Sequence, residues 1–255
     1  MSPRRRILLG AALAALLAVL AAAGVRLLNR DDPGPRPDQA RPGPVLLVPG
    51  YGGSRTALNQ LAARLRATGR TATVLSLPGD GTGDLLEQAD TVEAAVRAAR
   101  RDGAPSVDVI GYSAGGVAVK LWVDRHRGAT SARRIVTLGS PLHGTRLAGA
   151  GTAFAAGYCP AACRQLAPGS ALLESLNEEP VPDGLPWLSV WTDDDETVQP
   201  PDSARLSGAV NVALQSLCPD AHVSHGALPT DPIVTALVLD ALGPAPWSAP
   251  AACPG

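Results

Sequence analysis

Apolar positions along this chain recur in two alternating patterns. Short runs rich in Val, Leu and Ile stand at Val45–Val48, 107–110, 134–138 and 188–192, the length and composition of strands buried in a sheet. Residues 71–77 and 209–214 read as two further strands. Between them the spacing turns helical. Leu58, Leu61, Ala62 and Leu65 share one face of a helix over 56–66, closed by Gly69. A longer helix is expected over 84–101, ending at Gly103, another over 117–124, and a last one over 231–242 with Pro232 in its first turn. Strand and helix alternate, so the expected architecture is α/β: a mainly parallel sheet of about six strands with helices on both faces. In such sheets sites form at the carboxyl ends of the strands.

Two stretches break that rhythm. Residues 140–186 are rich in Ala and Gly and too long for a plain connection, so 142–186 is expected to form a small cap or pocket wall. Within it, 148–158 is apolar with small side chains and either lines a pocket or packs against the sheet. Residues 31–44 hold five prolines and no apolar periodicity, which predicts an extended, unpacked linker.

Composition narrows the class. The 255 residues are 45% hydrophobic and 18% charged, enough for one domain with a sizeable core. Aromatic residues make up only 3%, so that core must be built from Ala, Val and Leu. A net charge of -1 argues against a nucleic-acid partner. The amino terminus reads as a targeting segment: Arg4, Arg5 and Arg6 precede an uncharged Ala- and Leu-rich run over 7–25, and Ala21-Ala22-Ala23 offers a cleavage site. Residues 1–30 are therefore expected to be a signal peptide or a membrane anchor, with cleavage favoured. Either leaves the rest of the chain secreted or held on the outer face of the membrane. Such a compartment permits disulfides. Of three possible pairings of the four cysteines, Cys159–Cys163 closes a tight loop and Cys218–Cys253 ties the proline-rich tail to the body; these are the expected pairs. No second ligand pair with zinc-like spacing accompanies Cys159 and Cys163, so no metal is expected.

The chemistry is carried by Gly111-Tyr112-Ser113-Ala114-Gly115-Gly116, which lies between a predicted strand and a predicted helix. In that context a Gly-x-Ser-x-Gly segment puts the serine on a sharp turn at the end of the sheet, with its hydroxyl exposed to a reactant. A serine hydroxyl needs a base, and the base needs a carboxylate to orient it. In this architecture the acid and then the histidine follow the serine in the chain. His126 ends the following helix and is expected to be exposed, and His143 comes too early. His222 and His225 lie after the sixth strand; His225 is preferred because Gly226 follows it and the final helix would fix its loop. Asp193, Asp194, Asp195 and Glu196 follow the fifth strand, and spacing does not choose among them. An oxyanion hole needs two preorganised backbone N–H groups. Ala114, next after the serine, supplies one, and Tyr51 in the glycine-rich loop after the first strand is assigned the other.

Four segments are similar to the small secreted α/β-hydrolase lipases and esterases, among them bacterial class 2 lipases and the yeast lipase B group. They are Leu46-Leu47-Val48-Pro49-Gly50, the serine segment, Asp195-Glu196-Thr197-Val198-Gln199-Pro200, and Cys218 followed by Ser224-His225-Gly226. The resemblance spans most of 45–242 and implies the α/β-hydrolase fold for 45–255. It implies Asp195 as the triad acid and supports Tyr51 as a donor and Cys218–Cys253 as a pair. It departs at Pro49-Gly50, where many bacterial lipases have His-Gly, at Ala114, where yeast lipase B has a polar residue, and in the cap.

The expectation is thus a monomeric, cofactor-independent serine hydrolase that cleaves carboxylic esters, of small-molecule or lipid-like kind, through Ser113, His225 and Asp195. An acyltransferase or amide hydrolase on the same three residues is the alternative, and a non-catalytic surface protein a further one.

Overall fold

The computed structural model describes residues 34–254; the segment expected to serve as signal peptide or anchor lies outside them. Six strands form one sheet: β1 (Val45–Val48), β2 (Ala72–Val74), β3 (Val107–Tyr112), β4 (Ala132–Leu138), β5 (Trp187–Trp191) and β6 (Val210–Ala213). The helices are α1 (Thr56–Ala67), α2 (Leu85–Arg101), α3 (Ala114–Arg125), α4 (Arg146–Phe154), α5 (Ala161–Gln165), α6 (Ala171–Leu176), α7 (Leu214–Leu217) and α8 (Pro232–Ala241).

The strand order is β2-β1-β3-β4-β5-β6, and every neighbouring pair is parallel. From β1 the chain steps outward to β2, then returns to place β3 on the other side of β1. Those two strands flank the point where the winding reverses, the place where open parallel sheets form their crevice, beyond the carboxyl ends of the strands.

Side chains along β1 alternate between two cores. Leu46 and Val48 join Val107, Val109 and the buried faces of α2 and α3. Val45 and Leu47 join Ile110, Val136, Val190 and the buried faces of α1 and α8. This period of two forces helices onto both faces. Each fully buried Leu or Val contributes about 1.5–3 kcal/mol.

At the amino-terminal end of the sheet, opposite the crevice, β4 starts two residues earlier than its apolar pattern predicts. Arg133 and Arg134 lie inside it and are buried. Asp108 on β3 makes this possible: Arg133 donates to both its carboxylate oxygens, at 2.9 and 2.5 Å, and Arg70 donates to it at 2.5 Å. The remaining guanidinium donors reach the carbonyls of Ala241, Leu242, Gly243 and Ala245. Burial, reinforced by the like charge of Arg133, holds Arg134 below its ordinary arginine value.

The same cluster corrects the expectation of an unpacked linker. Gln39 donates to the Arg133 carbonyl at 3.1 Å and accepts from Arg134 at 3.2 Å, Asp108 N–H donates to the Pro44 carbonyl at 3.0 Å, and Ser106 Oγ donates to the Arg41 carbonyl at 2.9 Å. Prolines deprive this stretch of donors but leave its carbonyls free, and Arg133, Arg70 and Ser106 donate to those of Gln39, Gly43 and Arg41.

The interval 142–186 folds into α4, α5 and α6. Ala162, Leu166, Leu173, Leu176, Val181 and Leu185 are buried in the core shared with α2 and α3. Lys120, the only lysine of the chain and fully buried on α3, donates to the carbonyls of Leu176 and Glu179 at 3.3 and 3.2 Å and pairs with Asp124 at 2.6 Å. Burial pushes the Asp124 carboxyl up, and the Lys120 charge opposes that. Most of 148–158 does not pack on the sheet. Ala148 and Cys159 anchor the ends of the stretch, while Ala153 to Tyr158 is exposed.

Candidate active site

Ser113 sits between the last residue of β3 and the first of α3, at the reversal point of the sheet. Its φ of 53° and ψ of -129° lie where an L side chain is strained, at a cost of about 1–3 kcal/mol. Two things hold it there. Ser113 N–H donates to the Leu138 carbonyl at 2.8 Å, extending the β3–β4 ladder by one residue, and Gly116 N–H donates back to the Ser113 carbonyl at 2.9 Å. The turn also demands glycine. A Cβ on Gly115 would fall 2.4 Å from the carbonyl oxygens of both Val48 and Pro49, and one on Gly111 would fall 2.5 Å from Gly116 Cα.

Asp195 follows β5 and is 1% exposed. Its Oδ1 accepts the backbone N–H groups of Thr197 and Val198 at 2.9 and 2.7 Å. These bonds curl the acid loop around the carboxylate and leave Oδ2 free for another partner. That partner is His225 Nδ1, 2.7 Å away. The adjacent carboxylates point elsewhere. Asp193 and Asp194 are exposed, Asp194 meets His222 at 3.0 Å, and Glu196 accepts from the His225 backbone.

His225 opens a short 3-10 turn over His225–Ala227, after β6 and α7 and just before α8. Asp231 caps α8 by accepting the N–H groups of Ile233 and Val234 at 2.8 and 3.0 Å, with Pro232 at the first helical position. Leu228, fully buried beside α8, carries the end of the histidine loop into the core. The imidazole is buried, and its Nε2 lies 3.0 Å from Ser113 Oγ. Ser113, His225 and Asp195 are therefore joined in one hydrogen-bonded line. With Nδ1–H donating to Asp195, Nε2 carries the lone pair that accepts the serine hydroxyl proton.

The loop after β1 runs against the serine. A Cβ on Gly50 would lie 2.9 Å from Ser113 Cβ and 3.5 Å from its Oγ, so only glycine lets the backbone pass this close. Tyr51 follows Gly50 and is 45% exposed. Ala114 is the first residue of α3, where a helix leaves its N–H groups unpaired.

The rim is apolar. Tyr51, Leu147, Phe154 and Tyr158 are the exposed large hydrophobic residues of the described chain, and Phe154 and Tyr158 are 91% and 93% exposed. α4 starts at the acid loop, where Arg146 N–H donates to the Gln199 carbonyl at 2.8 Å. Beyond it, Ala162 N–H donates to the Thr82 carbonyl at 3.1 Å, and Gly52 N–H donates to the Gly81 carbonyl at 3.2 Å. These contacts run the α4–α5 segment from the acid loop toward the Tyr51 loop. The Cys159–Cys163 bond closes its bend, and Cys218–Cys253 ties the start of the histidine loop to the carboxyl-terminal tail.

The other histidines stand apart. His126 caps the end of α3, half-buried and 2.7 Å from Asp90; His143 and His222 are exposed. Among the described residues no group of three or more His, Cys, Asp or Glu could hold a metal ion, and no helix is long and apolar enough to cross a membrane. Tyr112, outside the sequence expectations, and Glu196, one of the four carboxylates that spacing leaves open, both touch His225 through its backbone. Each is the chain neighbour of an expected site residue, and for Tyr112 that adjacency is the only signal in the sequence.

No protein-family model and no curated protein matches the chain. Solved structures do. The mature form of Bacillus licheniformis lipase BlEst2 superposes with a TM-score of 0.65 at 19% identity, over 83% of this chain and 96% of that one. Aspergillus fumigatus lipase B superposes with a TM-score of 0.63 at 20% identity, over 79% of this chain; the match spans about half, 52%, of that longer chain. The lin2722 product of Listeria innocua gives a TM-score of 0.53 at 15% identity, over 77% and 92% of the two chains. At such identities the likeness speaks for architecture, and with the parallel six-stranded sheet it shows that this chain has the α/β-hydrolase fold.

Proposed function

We propose that this protein is a serine hydrolase that cleaves carboxylic esters, with Ser113 as nucleophile, His225 as general base and acid, and Asp195 as the carboxylate that orients the imidazole. The observation that carries this reading is the hydrogen-bonded line from Ser113 Oγ through His225 to Asp195, at 3.0 and 2.7 Å. Ser113 Oγ attacks the ester carbonyl carbon while His225 Nε2 takes its proton. The Tyr51 and Ala114 N–H groups receive the developing oxyanion, the most strongly stabilised charge in such reactions. Collapse of the tetrahedral intermediate expels the alcohol, which takes the proton from Nε2. Water, activated by the same imidazole, then attacks the acyl-enzyme and restores Ser113. Asp195 keeps the proton on Nδ1 throughout and stabilises the imidazolium that forms.

Lipid-like esters are the substrate class we favour, on the apolar surface that the chain exposes. Tyr51, Leu147, Phe154 and Tyr158 expose apolar surface, with α4–α5 as the flanking wall. Such surface is costly in water unless it meets an apolar partner. The two disulfides and the Arg4–Arg6 segment followed by an apolar run support work outside the cell, on a secreted or membrane-anchored chain.

Hydrolysis of p-nitrophenyl esters across a series of acyl lengths tests the reading. Turnover is expected, rising from acetate to medium-chain esters. No turnover at any length would contradict the ester reading, and transfer to an added alcohol or amine in excess of hydrolysis would favour an acyltransferase.

A further inference from the structure

His225 is gripped by its backbone as well as by its ring. Its N–H donates to Glu196 Oε2 at 3.0 Å, and its carbonyl accepts from the Tyr112 hydroxyl at 3.2 Å. The Tyr112 ring also lies 5.2 Å from the imidazole, centroid to centroid, tilted by 31°. Glu196 directly follows Asp195, and Tyr112 directly precedes Ser113. The chain neighbours of the acid and the nucleophile thus hold both polar backbone atoms of the third residue.

The histidine loop needs such help. From Pro219 to Ser224 the chain has no helix or strand, and His225 follows at once. Neither grip comes from regular secondary structure, so neither would survive loss of its side chain. The imidazole can line up with both Ser113 and Asp195 only if its Cα is fixed, and a misplacement of about 1 Å can cost about a hundredfold in rate.

We propose that Glu196 and Tyr112 are positioning residues, which clamp the His225 backbone so that Nε2 stays aligned with Ser113 Oγ. The inference rests on the triad reading above. The clamp requires an acceptor at 196 rather than a charge, and a hydroxyl at 112 in addition to the ring. Burial, with the nearby carboxylates of Asp195 and Glu196, pushes the Tyr112 hydroxyl up to about 12, so it remains a donor at neutral pH.

Steady-state hydrolysis of a p-nitrophenyl ester by Glu196→Ala, Glu196→Gln, Tyr112→Phe and the Glu196→Ala/Tyr112→Phe pair tests this, with melting temperatures recorded alongside. Glu196→Ala should lower kcat about ten- to a hundredfold with little change in KM, while Glu196→Gln, whose amide oxygen still accepts, stays within about threefold. Tyr112→Phe should lose about three- to tenfold, and the double variant should depart from the product of the single effects, because both grips act on one residue. Wild-type kcat in Glu196→Ala, or a loss in Glu196→Gln as large as in Glu196→Ala, would overturn the proposal.

A second readout separates this idea from the triad reading. The His225 Nδ1 proton bonded to Asp195 should give a low-field NMR resonance in wild type and Glu196→Gln, and that resonance should broaden or vanish in Glu196→Ala. An inactive wild type that shows this pattern would sink the ester reading and keep the clamp. An unchanged resonance in Glu196→Ala would overturn the clamp whatever the activity.

Discussion

His225 Nε2 lies 3.0 Å from Ser113 Oγ although 112 residues separate them. The sheet brings them together. β3 ends at the reversal point and delivers the serine, while β6, α7 and the capped start of α8 return the histidine to the same end.

The choice of acid is open to a direct comparison. Asp195→Asn should lower kcat/KM on the order of a thousandfold or more, because an amide cannot hold the Nδ1–H tautomer. Asp193→Asn should stay near wild type, since Asp193 is exposed and its backbone N–H bonds to Gln215. The opposite ranking in steady-state kinetics would move the acid to Asp193.

Strain at the nucleophile has a stability signature. Ser113→Ala keeps a Cβ at a φ of 53°, whereas Ser113→Gly removes it. Both should be inactive, but the glycine variant should be the more stable, by roughly 1 kcal/mol once the extra freedom of its unfolded chain is counted. Equal or reversed midpoints in denaturant titrations would mean that the elbow stores no strain.

The two disulfides should contribute unequally. Cys218–Cys253 joins residues 35 apart and Cys159–Cys163 residues 4 apart. Loop-closure entropy gives about 4 kcal/mol for the first and about 2 kcal/mol for the second. Cys253→Ser should therefore lower the urea midpoint more than Cys163→Ser, and the reverse order would contradict the entropic account.

Tyr112 gives a pH signature. Its hydroxyl is raised from 10.0 to about 12, first by burial and then by the carboxylates of Asp195 and Glu196. Between those values the folded chain keeps a proton that the unfolded chain has lost, so stability falls as pH rises through that window and is fully present below it. Urea midpoints measured from about pH 9 to pH 11 should decline less steeply in Tyr112→Phe than in wild type. Parallel curves would show that the hydroxyl is not held this way.

Much of this arrangement was legible in the chain. The strand–serine–helix context places Ser113, because Gly111 and Gly115 are required by contacts closer than any Cβ allows. Apolar periodicity finds the strands and the larger helices, since a parallel sheet buries both faces. It fails at Arg133 and Arg134, which look like a strand boundary and lie inside β4, because Asp108, the partner of Arg133, sits on another strand and the carbonyls that Arg134 reaches lie at and beyond the end of α8. Residues 36–44 mislead for the same reason: proline content reports missing donors and says nothing of carbonyls captured by distant arginines. Composition does not decide whether 148–158 lines a pocket or packs on the sheet, and most of it faces solvent. The bonds of Tyr112 and Glu196 to the His225 backbone are not legible in the sequence, since they join the end of β3 and the loop after β5 to a loop far along the chain.

The central claim is that Ser113 is a nucleophile activated by His225. Treating the protein with a fluorophosphonate probe and mapping the adduct by mass spectrometry, in wild type, Ser113→Ala and His225→Ala, tests it most directly. The account predicts a single adduct on Ser113 in wild type, none in Ser113→Ala, and labelling slowed by at least about a hundredfold in His225→Ala. A wild-type chain that resists the probe, or an adduct on another residue, would contradict it.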